Sequence, residues 1–179
     1  MKTNENIQTI TMLTNLYELS LFENNHIWNL ASLTRLTKLY LISINVINSI
    51  KLLTNLLYLN IKENNDTITN IQYLSKLTHL KIIMNNSLTT LENLRNLKTL
   101  KLMWNMSLKN INSLLMLTKL ELVHDFGIFD ISELTNLRLL NISENTKLRK
   151  IPNNLCLKIN LGSDTLICLN RKLKCVIDE

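Results

Sequence analysis

Asp125, Phe126 and Gly127 follow one another in the order of the metal-binding triplet of protein kinases. That chemistry needs a glycine-rich loop and a catalytic HRD segment, and neither accompanies the triplet. Cys156, Cys168 and Cys175 carry zinc-binding sulfur, yet the 11 and 6 residues between them match no zinc spacing, and His26, His79 and His124 lie far away in sequence. An odd, sparse set of cysteines argues against a disulfide framework and fits free thiols in a reducing compartment. Asn65, Asn85, Asn105 and Asn141 each open an N-x-S/T glycan-acceptor pattern. With 27 asparagines and 28 serines and threonines among 179 residues, chance alone gives about four such patterns. No Ser/His/Asp arrangement, paired carboxylates or phosphate loop stands out, so the expectation is a protein that is not an enzyme and has no metal or cofactor.

What must position any functional residue is visible in LTNLYELSLFENN, residues 13 to 25, whose leucines fall at gaps of three, three and then two. A helix repeats its buried face every 3.6 residues and a strand every 2, so the stretch changes structure partway. The set Leu13, Leu16, Leu19, Leu21 returns 20 residues later as Leu33, Leu36, Leu39, Leu41, and again as Leu53, Leu56, Leu59, Ile61. After one inserted residue it continues as Leu74, Leu77, Leu80, Ile82, and three more sets end at Leu134, Leu137, Leu140, Ile142, making seven repeats. Most repeats add an asparagine three residues on (Asn24, Asn64, Asn85, Asn105, Asn145); Ile44 then Asn45 stand there in the second, and Asp125 in the sixth. Ile7 and Ile10 fit the tail of a preceding unit, and Ile159 with Leu161 offer an eighth strand pair with weaker spacing. The expected division is a truncated N-terminal repeat over 1–12, seven units over 13–151 and a C-terminal cap over 152–179.

The LxxLxLxxNxL pattern of Leu16, Leu19, Leu21 and Asn24 resembles the leucine-rich repeat family, and the resemblance covers about nine tenths of the chain. One departure is that the apolar residue after the asparagine (Ile27, Leu88, Leu108, Leu148) comes three positions later, where the family pattern has two. The resemblance implies an α/β-type solenoid, a right-handed superhelix with a concave parallel β-sheet. The short repeat leaves no room for a long helix, so 3₁₀ turns or extended chain are expected on the convex side. The asparagine is expected at the bend after each strand, where its amide meets backbone groups of neighbouring coils.

Composition bounds the rest. Apolar residues make up 46% and charged residues 19% of a chain with two glycines, one proline and a net charge of +6. No stretch of about 20 apolar residues exists to span a bilayer, and MKTNENIQTI lacks the basic and apolar segments of a leader. These features lead us to expect a soluble, cytoplasmic protein. The richness in asparagine, isoleucine and lysine matches an AT-rich coding genome, which tilts the expectation toward a microbial or viral factor acting on host proteins.

In the leucine-rich repeat family the concave sheet is the usual partner surface, which implies binding of a protein partner by Phe22, Lys38, Tyr40, Ile42, Tyr58, Lys81, Ile83, Lys101, Met103, Trp104 and Val123. One column just past the strand pairs, Phe22, Ile42, Lys62, Ile83, Met103, Val123 and Ser143, is mostly apolar, and lysines flank it. The bland reading is that β-branched residues are common in strands and that adjacent turns shield part of the column. A second reading, nucleic-acid association, rests on the basic end: Lys147, Arg149, Lys150, Lys158, Arg171, Lys172 and Lys174. No nucleic-acid motif and no interleaved aromatic supports it. A monomer is expected, with self-association through the thinly capped N-terminal edge as a third reading.

Overall fold

In a computed structural model, residues 9–47, 50–63, 68–69, 71–143 and 147–152 are described, together with the backbone of 156–160 and 165–169. Ile7, Asn64, Asn65, Asn145, Leu161, Arg171, Lys172, Lys174 and Cys175 lie outside the described residues.

Each gap of two in the leucine pattern is a strand whose two apolar side chains share one face. The strands are β1 (Glu18–Phe22), β2 (Lys38–Ile42), β3 (Tyr58–Lys62), β4 (His79–Ile83), β5 (Thr99–Met103), β6 (Lys119–Val123), β7 (Leu139–Asn141), β8 (Cys156–Asn160) and β9 (Thr165–Leu169). They form one nine-stranded sheet in chain order. Pairing is parallel from β1 to β8, with Leu19, Leu39, Leu59, Leu80, Leu100, Leu120, Leu140 and Ile159 in one register line. β9 folds back antiparallel on β8, pairing Leu157 with Cys168. That reversal differs from a further parallel coil and follows the loss of the repeat beyond Leu148.

The gaps of three from Leu30 to Leu33 and from Leu33 to Leu36 are tight turns, while the gap from Leu36 to Leu39 leads into the strand. The Leu33 N–H donates to the Leu30 carbonyl and the Leu36 N–H to the Leu33 carbonyl, both at 3.0 Å, and the same pair of turns recurs at Leu94 and Leu97. A leucine closes each of these turns and is buried there. The expected 3₁₀ content is small: among the described residues one 3₁₀ turn occurs, Ile71–Tyr73, in the stretch between Ile61 and Leu74 that carries the inserted residue. No described helix is long and apolar enough to cross a membrane.

The leucines of the second to sixth coils seal one continuous core, with Leu39, Leu59, Leu100 and Leu120 fully buried. The first coil is less sealed, in line with the thinly capped N-terminal edge: Leu13 is 50% exposed, and Leu16 and Leu19 are only partly buried. Its strand, β1, comes first in the sheet order, so among the described strands its leucines have a neighbour on one side only.

Two asparagine columns divide the polar work. At the bend after the strand, the Asn24 Oδ1 accepts from the N–H groups of His26 and Ile27 at 3.0 and 2.9 Å, and Asn105 does the same for Ser107 and Leu108 at 3.2 and 3.1 Å. This column thus serves chiefly its own turn; the Asn105 amide also donates to the Asn85 carbonyl of the coil before. A second column on the turn side makes the links between coils, where the side chains of Asn55, Asn96 and Asn136 donate to the carbonyls of Thr34, Ser75 and Leu115 at 2.8–2.9 Å.

Asp125 breaks the first column. It is fully buried, and its Oδ1 accepts from the Gly127 and Ile128 N–H groups at 3.0 and 3.2 Å, but its Oδ2 has no hydrogen-bond partner. Twenty residues earlier, the Asn105 amide nitrogen donates to the coil before. A carboxylate oxygen cannot donate, so the link is lost unless a proton sits there. Burial pushes the Asp125 carboxyl above its ordinary value, with the two backbone N–H groups and Lys109 opposing it. Asp125→Asn should therefore stabilise the fold by about 1–3 kcal/mol at neutral pH, the range for meeting a buried unpaired group. A raised native pKa means that the native state holds the proton longer, so the penalty grows from the ordinary carboxylate value of 3.8 upward through the native one. Urea unfolding of both proteins checks this: the gap between them should close as the pH falls through that window.

Candidate partner-binding face

Since alternate strand residues point to opposite faces, burying Leu59 and Ile61 turns Tyr58, Asn60 and Lys62 to the open face of the sheet. The same alternation sets three columns across the strands. The first runs Glu18, Lys38, Tyr58, His79, Thr99, Lys119, Leu139, and the middle one Ser20, Tyr40, Asn60, Lys81, Lys101, Glu121, Asn141. The third begins Phe22, Ile42, Lys62, Ile83, Met103, Val123.

The aromatic part of the face is a stack. Tyr40 and Tyr58 have ring centroids 5.1 Å apart, and Tyr58 and His79 are 6.1 Å apart with planes at 26°. Burial, and then the neighbouring Tyr40, raises the Tyr58 phenol above its ordinary value, so its hydroxyl stays protonated at neutral pH. Farther along, Trp104 stacks on His124 with centroids 4.0 Å apart and planes at 12°.

Charge on the face is largely paired. Lys38 meets Glu18 at 3.2 Å, and Lys62 meets Glu63 at 3.1 Å. Glu121 lies between Lys101 at 2.8 Å and Lys119 at 2.7 Å. Burial opposes its ionisation, but the two lysines outweigh that and hold its carboxyl below the ordinary value. The basic end is partly neutralised too, with Lys150 at 3.5 Å from Asp130.

All eleven expected site residues fall on this sheet surface or immediately beside it, but they are not equally available. Phe22 is 55% exposed and Trp104 42%, Tyr40, Ile42, Tyr58, Lys81, Lys101, Met103 and Val123 are half-buried, and Lys38 is exposed. Ile83 is the exception: at 8% exposure it belongs with the packed residues and offers a partner almost nothing. The apolar column is thus shielded at its centre. Asn85 and Asn105 are fully buried, which closes those two glycan-acceptor patterns to modification.

Two features were missed on the residue types alone. Glu23, Ser43, Glu63, Met84, Trp104 and His124, each just past a strand, hold φ between 48° and 55°. Left-handed backbone in such residues is unfavourable, and here each N–H continues the ladder into the next coil, as from Trp104 to the Val123 carbonyl at 3.2 Å. The Trp104–His124 stack arises because both occupy this position in successive coils. The other feature is Asn60, 8% exposed on the open face, with an amide oxygen that has no partner. A polar residue between two core positions is unremarkable by type; only its burial singles it out.

Comparisons bear on the fold. No family model matches the chain, and no curated protein matches it. Among solved structures, an internalin (inlF) from Listeria monocytogenes is similar at 29% identity and a TM-score of 0.60, over 83% of this chain and 50% of that one. Internalin C2 from the same organism is similar at 21% identity and a TM-score of 0.58, over 76% of this chain and 66% of that one. The chain thus spans only half to two thirds of the length of these neighbours. Internalins are leucine-rich repeat proteins, and the parallel sheet, near-absence of helix and stacked leucine coils give this chain the same solenoid architecture.

Proposed function

We propose that the chain is a non-catalytic interaction module that binds a protein partner on the concave face of its sheet. The observation that supports this most is the Tyr40–Tyr58–His79 stack, which presents aromatic side chains from three adjacent strands. Rings immobilised in this way lose little side-chain entropy on binding, the property that makes aromatics interface anchors. Internalin-like architecture fits the same role, and a microbial or viral factor acting on host proteins in the host cytoplasm is the setting we favour.

The test is affinity capture from a host-cell extract with the wild type and with the Tyr40→Asp, Ile42→Asp, Met103→Asp triple variant, the fold of each followed by circular dichroism. All three side chains lie on the open face and none is fully buried, so the variant should stay folded. We expect it to lose partners that the wild type retains. Identical partners on a folded variant would show the reading to be wrong.

A further inference from the structure

On the open face, Asn60 stands between Tyr40 and Lys81 in register, and Lys81 stands between Asn60 and Lys101. The Asn60 amide oxygen is buried without a donor although the residue points away from the core. Beside it, Lys81 and Lys101 are directly opposed on neighbouring strands, an arrangement of like charges that destabilises a sheet. Glu121 relieves Lys101 from the far side at 2.8 Å, while Lys81 has no ion-pair partner among the described residues. An unmet acceptor thus adjoins two opposed cations of which only Lys101 is compensated, and one ligand can answer both.

We infer that β3, β4 and β5 form a subsite for an acidic segment of a protein partner, whose carboxylate sits on Lys81 and Lys101 while one of its N–H groups donates to the Asn60 Oδ1. This rests on the proposed concave-face reading and names the chemistry that the face selects. Strands in a sheet are about 4.8 Å apart, so the three residues span about 10 Å, the reach of about three residues of extended peptide. A peptide carries donor and carboxylate within that distance. Single-stranded nucleic acid is the poorer fit, because base stacking needs an open ring face and Tyr58 lies between Tyr40 and His79.

The experiment titrates the whole chain with a capped hexapeptide of alternating glutamate and glycine, its glutamine counterpart and a thymidine dodecamer, following the backbone and side-chain amides by NMR. We expect the glutamate peptide to shift the Asn60 side-chain amide and the Lys81 and Lys101 backbone signals, and the glutamine peptide to bind at least tenfold more weakly. Asn60→Val should weaken the glutamate peptide severalfold without lowering the thermal midpoint of the free protein, because it removes an acceptor that has no partner. A purely structural Asn60 would instead lower that midpoint and leave peptide affinity alone. Lys81→Gln should weaken binding tenfold or more. Equal binding of both peptides, indifference to Asn60→Val, or tighter binding of the dodecamer would overturn the subsite. The triple-variant capture reads out the wider face separately, so the subsite can fail while that reading stands.

Discussion

Leu100→Ala is expected to remove about 2–5 kcal/mol, the range for emptying a well-packed leucine site. The upper half applies, because Leu100 is fully buried in β5 and its register partners Leu80 and Leu120 are 2% and 0% exposed. In a solenoid each coil touches only its neighbours, so a hole in a central coil weakens the interface on both sides at once. Domains of this size are stable by only about 5–15 kcal/mol, which makes the loss a large fraction of the whole. Leu13→Ala is the internal comparison. Leu13 fills the first turn of the same pattern but is half exposed, so it forfeits little transfer energy and leaves no closed cavity. Urea unfolding of the two variants should separate them by 2 kcal/mol or more. Equal losses would mean that the coils do not stack in register.

That comparison shows which parts of the architecture could be read from residue types. At core positions packing dictates the residue, so the gaps of three, three and two mark a turn, the entry into the strand and the strand itself, and the strand limits follow from Leu19 and Leu21 alone. The same logic is silent where the repeat stops. β8 pairs in parallel and β9 antiparallel, a reversal set by chain direction and not by any periodic side chain. It is also silent on backbone: left-handed residues are normally betrayed by glycine or asparagine, yet here Met84, Trp104 and His124 take that conformation under the demand of coil stacking.

The candidate face was legible as a place but not as chemistry. Alternation decides which residues face outward, and it placed Tyr40, Lys81 and Lys101 on the outer side of the sheet. How much of each side chain remains free depends on neighbours one coil away. Hence Ile83 is packed away and Glu121 absorbs two lysines. Asn60 shows the converse, since burial beside larger neighbours turns an ordinary strand asparagine into an unmet acceptor.

Gly127→Ala should cost about 3 kcal/mol or more, beyond the usual overpacking range of about 1–3 kcal/mol. A Cβ built on Gly127 would lie 2.0 Å from the Leu108 carbonyl oxygen and 3.2 Å from its carbon. Those atoms are backbone of the preceding coil, so no rotamer change can move them away. In the two preceding coils the equivalent residues are serines: the Ser87 hydroxyl donates to the Ile68 carbonyl at 3.1 Å, and Ser107 donates to the Asn86 carbonyl. The sixth coil replaces that hydroxyl with direct backbone contact, and it does so beside Asp125, whose Oδ2 forms no link of its own. The Asp-Phe-Gly triplet therefore records how this coil packs. Thermal unfolding of Gly127→Ala beside Ser107→Ala checks the argument. Ser107→Ala removes one hydrogen bond and should lose only about 0.5–1.5 kcal/mol. If Gly127→Ala loses no more than that, the close approach of the fifth and sixth coils is not a rigid feature of the fold.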